Sequence, residues 1–188
     1  MCCRYYIKSK MYEELPAQVI PETGRRYTGD VGPAGKALVL RMGSGGMQAA
    51  DLFWGYPAVN SGALVINARS ESLLQKPMFC EDMMKRRCLI PASGFYEWDA
   101  KKQKAEISVP DLPLIYFAGI YGIHSGMERF VIITGASRGE MCRIHDRMPL
   151  IIPGDRIEDW FLGDYMEVLK TEAPLMKVNI ENEQLSFL

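Results

Sequence analysis

Metal-ligating residues are scarce in this chain, and the scarcity excludes whole classes of chemistry. Histidine occurs only at His124 and His145, and the five cysteines (Cys2, Cys3, Cys80, Cys88 and Cys142) form no Cys-x-x-Cys pair. A zinc centre would have to be assembled from scattered ligands, so neither a metal nor another cofactor is expected. An odd cysteine count without an export signal argues against a disulfide framework. Long apolar runs are missing as well: none approaches the ~20 residues of a membrane-spanning helix. The opening, MCCRYYIKSK, lacks the charged-then-apolar pattern of a signal peptide. The expectation is a cytoplasmic protein with no membrane partner. A strong excess of one charge is absent too, the net charge being −1. Residues 149–188 hold three basic and eight acidic side chains, and the first 148 hold 19 and 15. That split leaves room for a local basic groove without requiring one.

What is present suits a globular chain. A length of 188 residues fits a single domain over residues 1–188, one able to bury roughly 70% of its unfolded surface without disulfide or metal. Apolar residues make up 48% and charged residues 24%. Glycines between Gly24 and Gly46 read as loops around one strand, Ala37–Met42. Leu64–Ile66 is a short apolar run ahead of the polar cluster Asn67-Ala68-Arg69-Ser70-Glu71. Residues 71–87 read as a helix ending in the basic turn Lys85-Arg86-Arg87. Cys88–Pro91, Gly94–Trp98, Ile107–Val109, Leu114–Ile123, Arg129–Thr134 and Leu150–Ile152 read as strands. Asp155–Leu162 and Tyr165–Thr171 read as helices, with Asp155 as an N-cap. Strands outnumber helices and do not alternate with them, which predicts an α+β fold.

The first reactive candidate is Cys2. Removal of Met1 would leave an α-amine of pKa about 7.7–8.0 beside a thiol of about 8.5 on one residue. Such an amine attacks an aldehyde to give a Schiff base, and the thiol can then close a five-membered thiazolidine. Position alone favours an ordinary early cysteine. Three further segments add polar groups. Asn67 to Glu71 places an amide, a guanidinium and a carboxylate together, or is simply a polar turn. Glu97 lies inside the apolar run from Cys88 to Trp98, where burial would raise its pKa toward neutrality; on an alternating strand it would instead face solvent. His145 stands beside Asp146 and Arg147 as a group that titrates near neutral pH, or as a turn histidine bonded to its neighbours.

Together, Met1-Cys2, the Asn-Ala-Arg-Ser-Glu segment at 67–71, Arg-Cys-Leu-Ile-Pro-Ala-Ser-Gly-Phe-Tyr-Glu-Trp at 87–98 and Ile-His-Asp-Arg-Met-Pro at 144–149 resemble the SRAP family of SOS-response-associated, abasic-site-processing proteins. The likeness covers residues 2 to about 152, with Trp54-Gly55 as a further element. The resemblance implies a β-rich, barrel-like core flanked by helices. It also implies binding to single-stranded DNA and a thiazolidine crosslink to the aldehyde of an abasic site, with accompanying lyase activity and removal of Met1. Cys2 would be the nucleophile, Glu97 the acid–base group, and His145 the group for sugar opening and crosslink reversal. Asn67 would position the sugar and the Cys2 backbone. Arg4, Arg69 and Arg147 would contact phosphates, and Trp98 would lie beside the site. DNA-bound protein would be associated with the nucleoid, with the replication machinery as a further partner; a monomer is assumed. The chain departs from the family pattern at Cys3, where Gly is usual, at Trp54-Gly55-Tyr56-Pro57, and at Thr134-Gly135-Ala136-Ser137. Two other functions use the same residues. One is a cysteine-type (auto)peptidase with Cys2 attacking a carbonyl and His145 as base. The other is a module that grips single-stranded DNA without a covalent step.

Overall fold

The computed structural model describes residues 2–19, 26–59 and 61–180; Met1 and Gly24 lie outside them. Fifteen strands are formed among the described residues. They are β1 (Arg4–Ile7), β2 (Gly29–Val31), β3 (Lys36–Gly43), β4 (Gly46–Trp54), β5 (Tyr56–Pro57), β6 (Leu64–Val65) and β7 (Asn67–Arg69), followed by β8 (Arg87–Ala92), β9 (Gly94–Trp98), β10 (Lys104–Ser108), β11 (Ile115–His124), β12 (Met127–Ala136), β13 (Arg147–Pro149), β14 (Ile151–Ile152) and β15 (Lys177–Ile180). The helices are short: α1 (Pro77–Lys85), α2 (Ile157–Phe161) and α3 (Tyr165–Val168). The class is α+β, as the composition of elements predicts.

Five strands close on themselves. β12 pairs with β4, β4 with β3, β3 with β8, β8 with β11, and β11 returns to β12. Only the β12–β4 step of that ring is parallel. The apolar run Cys88–Ala92 of β8 is buried along its whole length, as expected of a strand covered on both faces. Pro91 is tolerated there because the β3 ladder has ended at Leu89, so its missing N–H removes no bond on that side. The β11–β12 hairpin turns through Ser125 and Gly126, both at positive φ (52° and 73°). That is the turn whose twist matches a two-residue hairpin.

A second sheet, ordered β15-β10-β9-β1-β2, lies against the barrel. Aromatic contacts join the two bodies. Phe117 of β11 meets Tyr5 of β1 edge-on at 5.8 Å and Phe95 of β9 at 5.9 Å. Such pairs contribute about 0.5–1.5 kcal/mol beyond their buried area. The chain passes from barrel to sheet between β8 and β9, at Ser93. A Cβ on the next residue, Gly94, would collide with the Tyr6 hydroxyl and the Ile107 carbonyl. Only glycine fits this crossing, and it fixes where β9 begins and therefore where Glu97 points.

Several local expectations need correction. The helix read over 71–87 divides into a 3-10 turn, Ser70–Gln75, and α1. Pro77 cannot sit inside a helix, and it occupies the start of α1 instead. Arg87 belongs to β8, and its guanidinium donates to carbonyls of Met83, Met84, Trp160 and Phe161 at the C-terminal ends of α1 and α2. Asp155 makes no cap; Asp164 does, accepting from the N–H groups of Met166 and Glu167. Asn67–Arg69 is a strand and not a turn, running parallel to β12.

Candidate active site at the junction of barrel and sheet

Cys2 stands just ahead of β1, where sheet and barrel meet, and its side chain is fully buried. The thiol faces the carbonyl of Arg4 at 3.8 Å. Burial pushes its pKa well up, and the nearby Glu97 carboxylate pushes it further. The Cys2 carbonyl accepts a 2.8 Å hydrogen bond from the side-chain amide of Asn67. Asn67 is held in register by β7, whose three residues pair with Ile132, Ile133 and Thr134. Its own Oδ1 is buried and finds no hydrogen-bond partner among the described residues.

Glu97 lies on β9 opposite Ala105 of β10 and is only 2% exposed. Period-two alternation turns Phe95 and Glu97 inward and leaves Tyr96 and Trp98 half-buried. The inward-facing alternative read from the sequence is the one the strand adopts. Burial raises the Glu97 pKa, and the His145 imidazole opposes that rise in part. Glu97 is therefore close enough to act electrostatically on Cys2 and to be acted on by His145, and Asn67 touches Cys2 directly.

His145 follows the 3-10 turn Gly139–Arg143, and its backbone N–H donates to Met141. Two groups compete for its Nδ1. The backbone N–H of Arg147 donates to it at 3.0 Å, while Asp146 Oδ1 lies 2.7 Å away. The first requires a bare Nδ1 and the second a protonated one. Arg147 itself forks onto Glu71 at 2.6 and 2.9 Å and donates to the Thr134 carbonyl at 2.6 Å. Its side chain is 13% exposed. Arg4 and Arg69 are both exposed. Arg4 sits opposite Tyr96 and makes a loose 3.4 Å pair with Asp30, and Arg69 ends β7 beside Thr134. Trp98 closes β9 opposite Lys104.

The pairing of Glu71 with Arg147 is not legible from the sequence. The two are 76 positions apart, and nothing local to either names the other. Among the described residues no cluster of His, Cys, Asp or Glu is suited to a metal, and no helix is long and apolar enough to cross a membrane.

The chain is similar to known proteins over nearly its whole length. It is 30% identical over 178 residues to the abasic site processing protein YoaM of Bacillus subtilis, a match spanning 85% of this chain and 78% of YoaM. It is 31% identical over 148 residues to the abasic site processing protein YedK of Escherichia coli, covering 74% and 66% of the two chains. A crystal structure of a Bordetella bronchiseptica protein superposes with a TM-score of 0.81 at 18% identity, over 96% of this chain and all of the other. One from Bacteroides thetaiotaomicron gives 0.77 at 21%, over 97% and 93%; both show the fold. The SRAP profile, described as SOS response associated peptidase, matches residues 1–187, and the chain belongs to that family.

Proposed function

We propose that this protein captures abasic sites in single-stranded DNA as a covalent thiazolidine on Cys2, after removal of Met1. The α-amine adds to the C1′ aldehyde of the opened sugar to give a carbinolamine. Loss of one water leaves an imine, and the Cys2 thiol then adds across the carbon–nitrogen double bond while its proton passes to nitrogen. Two bonds to C1′ form, and water is the sole leaving group. Glu97 donates a proton as water departs and accepts one from the thiol as the ring closes. His145 donates to the ring oxygen of the sugar as the aldehyde opens. The unsatisfied Asn67 Oδ1 is suited to a sugar hydroxyl. Arg4 and Arg69 receive phosphates, and Trp98 lies beside the site; at Arg147 a phosphate has to compete with Glu71.

The observation that carries this is the 2.8 Å bond from Asn67 to the Cys2 carbonyl beside a buried carboxyl of raised pKa. It immobilises the backbone of the residue whose amine and thiol must both reach one carbon. The names of the relatives, abasic site processing proteins, support the same substrate. A peptidase would need Cys2 activated as a thiolate by an adjacent imidazole. Here the thiol faces a carbonyl oxygen and is held protonated by burial, which suits a nucleophile used second, after the amine.

A synthetic abasic oligonucleotide tests the proposal. Wild-type protein gives a protein–DNA band that survives boiling and denaturing electrophoresis, and Cys2→Ser abolishes it. A Cys2→Ser protein that still gives the heat-stable band at the wild-type rate overturns the thiazolidine.

A further inference from the structure

We propose that Glu71 is a positioning residue for His145, acting across strand β12 through Arg147 to keep the imidazole proton on Nε2. Any effect on catalysis rests on the crosslinking chemistry proposed above, whereas the state of the imidazole does not.

The geometry begins with β12, which carries β7 along one edge and β13 along the other. β7 brings Asn67, which holds the Cys2 carbonyl, and Glu71 follows it in the turn Ser70–Gln75. β13 begins at Arg147, two residues after His145. The Arg147 side chain reaches back over Thr134 of β12, donating to its carbonyl, and meets both oxygens of Glu71. Paired N–H donors on one carboxylate fix distance and plane together, which a single hydrogen bond does not. The ion pair thus ties the segment that places Cys2 to the segment that places His145.

The consequence falls on the imidazole. Arg147 and Ala136 face each other, and the flanking ladder bond runs from the Ser137 N–H to the Asp146 carbonyl. The Arg147 N–H therefore points away from β12, and it donates to His145 Nδ1. A donor held there keeps Nδ1 bare, so neutral His145 carries its proton on Nε2. Asp146, whose side chain is 84% exposed, stands 2.7 Å from the same nitrogen and draws a proton to it. Which neighbour prevails depends on how firmly Arg147 is held, and Glu71 is the group that holds its guanidinium by a fork.

The test is nitrogen-15 NMR of the imidazoles in full-length protein. Only two histidines are present, so His124→Gln assigns the spectrum. In wild-type protein at a pH where His145 is neutral, Nδ1 resonates as a bare nitrogen and Nε2 as a protonated one. In Glu71→Ala the pattern moves toward Nδ1–H, and adding Asp146→Ala moves it back. Glu71→Gln, which keeps one acceptor oxygen, falls between. A wild-type spectrum showing Nδ1–H overturns the proposal, as does an unchanged pattern in a Glu71→Ala or Glu71→Gln protein that melts as a folded protein. Wild-type protein that shows the expected tautomer yet forms no crosslink refutes the crosslinking chemistry and leaves the role of Glu71 standing.

Discussion

The side chain of Asn67 and the backbone of Cys2 meet through a 2.8 Å hydrogen bond inside the junction between barrel and sheet. The donor comes from a strand fixed to β12 and the acceptor from Cys2, two residues before β1. Cys2 is thereby located by the barrel and not by β1 alone. Asn67→Ala removes the donor and leaves a buried carbonyl unsatisfied, at a cost of about 1–3 kcal/mol. Single-turnover crosslinking should slow tenfold or more by order of magnitude, and the melting temperature should fall. Asn67→Asp sets an oxygen against the carbonyl and should be the worse of the two.

Much of this arrangement is legible in the sequence. The run from Cys88 to Trp98 reads as two strands, and two strands it is, because apolar β-branched and aromatic residues bounded by Pro and Gly leave little else. β1 and β4 are harder. Residues 4–7 are too few to set a period, and Gln48-Ala49-Ala50-Asp51 in β4 lacks the β-branched side chains that mark a strand. The residues Cys2, Asn67, Glu97 and His145 can be named one by one. Their mutual placement cannot, since it depends on register between distant strands. The division at Pro77 is available from the sequence, because proline inside a helix is disfavoured by about 3 kcal/mol. The fork between Glu71 and Arg147 has no local signal at all.

Glu97 makes a stability prediction with a definite sign. Burial raises its pKa above the ordinary 4.5. Between those two values the folded protein keeps a proton that the unfolded chain has released. Stability contributed by this group therefore falls as pH rises through the window and stays at its lower level above it. Glu97→Gln removes the linkage, so its melting temperature should match or exceed that of wild type at pH 8. The difference should shrink as pH falls through that window and should be gone below about 4.5, the ordinary pKa of the carboxyl. Calorimetry across pH decides it; a variant that melts lower at every pH would show that the ionised carboxylate supports the fold.

The arginines should separate by salt dependence. Arg69 is exposed, whereas Arg147 is committed to Glu71 and Thr134. Removing one arginine–phosphate pair lowers the slope of log affinity against log salt by about 0.7 for single-stranded DNA. Arg69→Ala should show that full change. Arg147→Ala should show less, because the charge it removes is already balanced by a carboxylate. Equal slopes for the two variants, measured by fluorescence anisotropy with an unstructured oligonucleotide, would return Arg147 to the phosphate path.

Glu97 should also move two rates at Cys2 in opposite directions. Its carboxylate raises the pKa of the Cys2 thiol on top of the larger effect of burial. Removing that charge in Glu97→Gln lowers the thiol pKa, so alkylation of Cys2 by iodoacetamide at mildly alkaline pH should speed up. Crosslinking should slow, because the variant cannot take the proton from the thiol as the ring closes; positioned acid–base groups contribute roughly 10²–10⁴-fold. In the wild-type protein Cys142, which is exposed, should react well before the buried Cys2 and Cys88. Peptide mapping by mass spectrometry reads all of these sites in one digest. If Glu97 served only to shape the pocket, the amide would preserve that shape and both rates would stay near wild type. If the residue merely held the fold, both would change along with the melting temperature. Faster alkylation with slower crosslinking, in a protein that melts no lower than wild type, is the pattern that a proton-transferring carboxyl produces and neither structural role does.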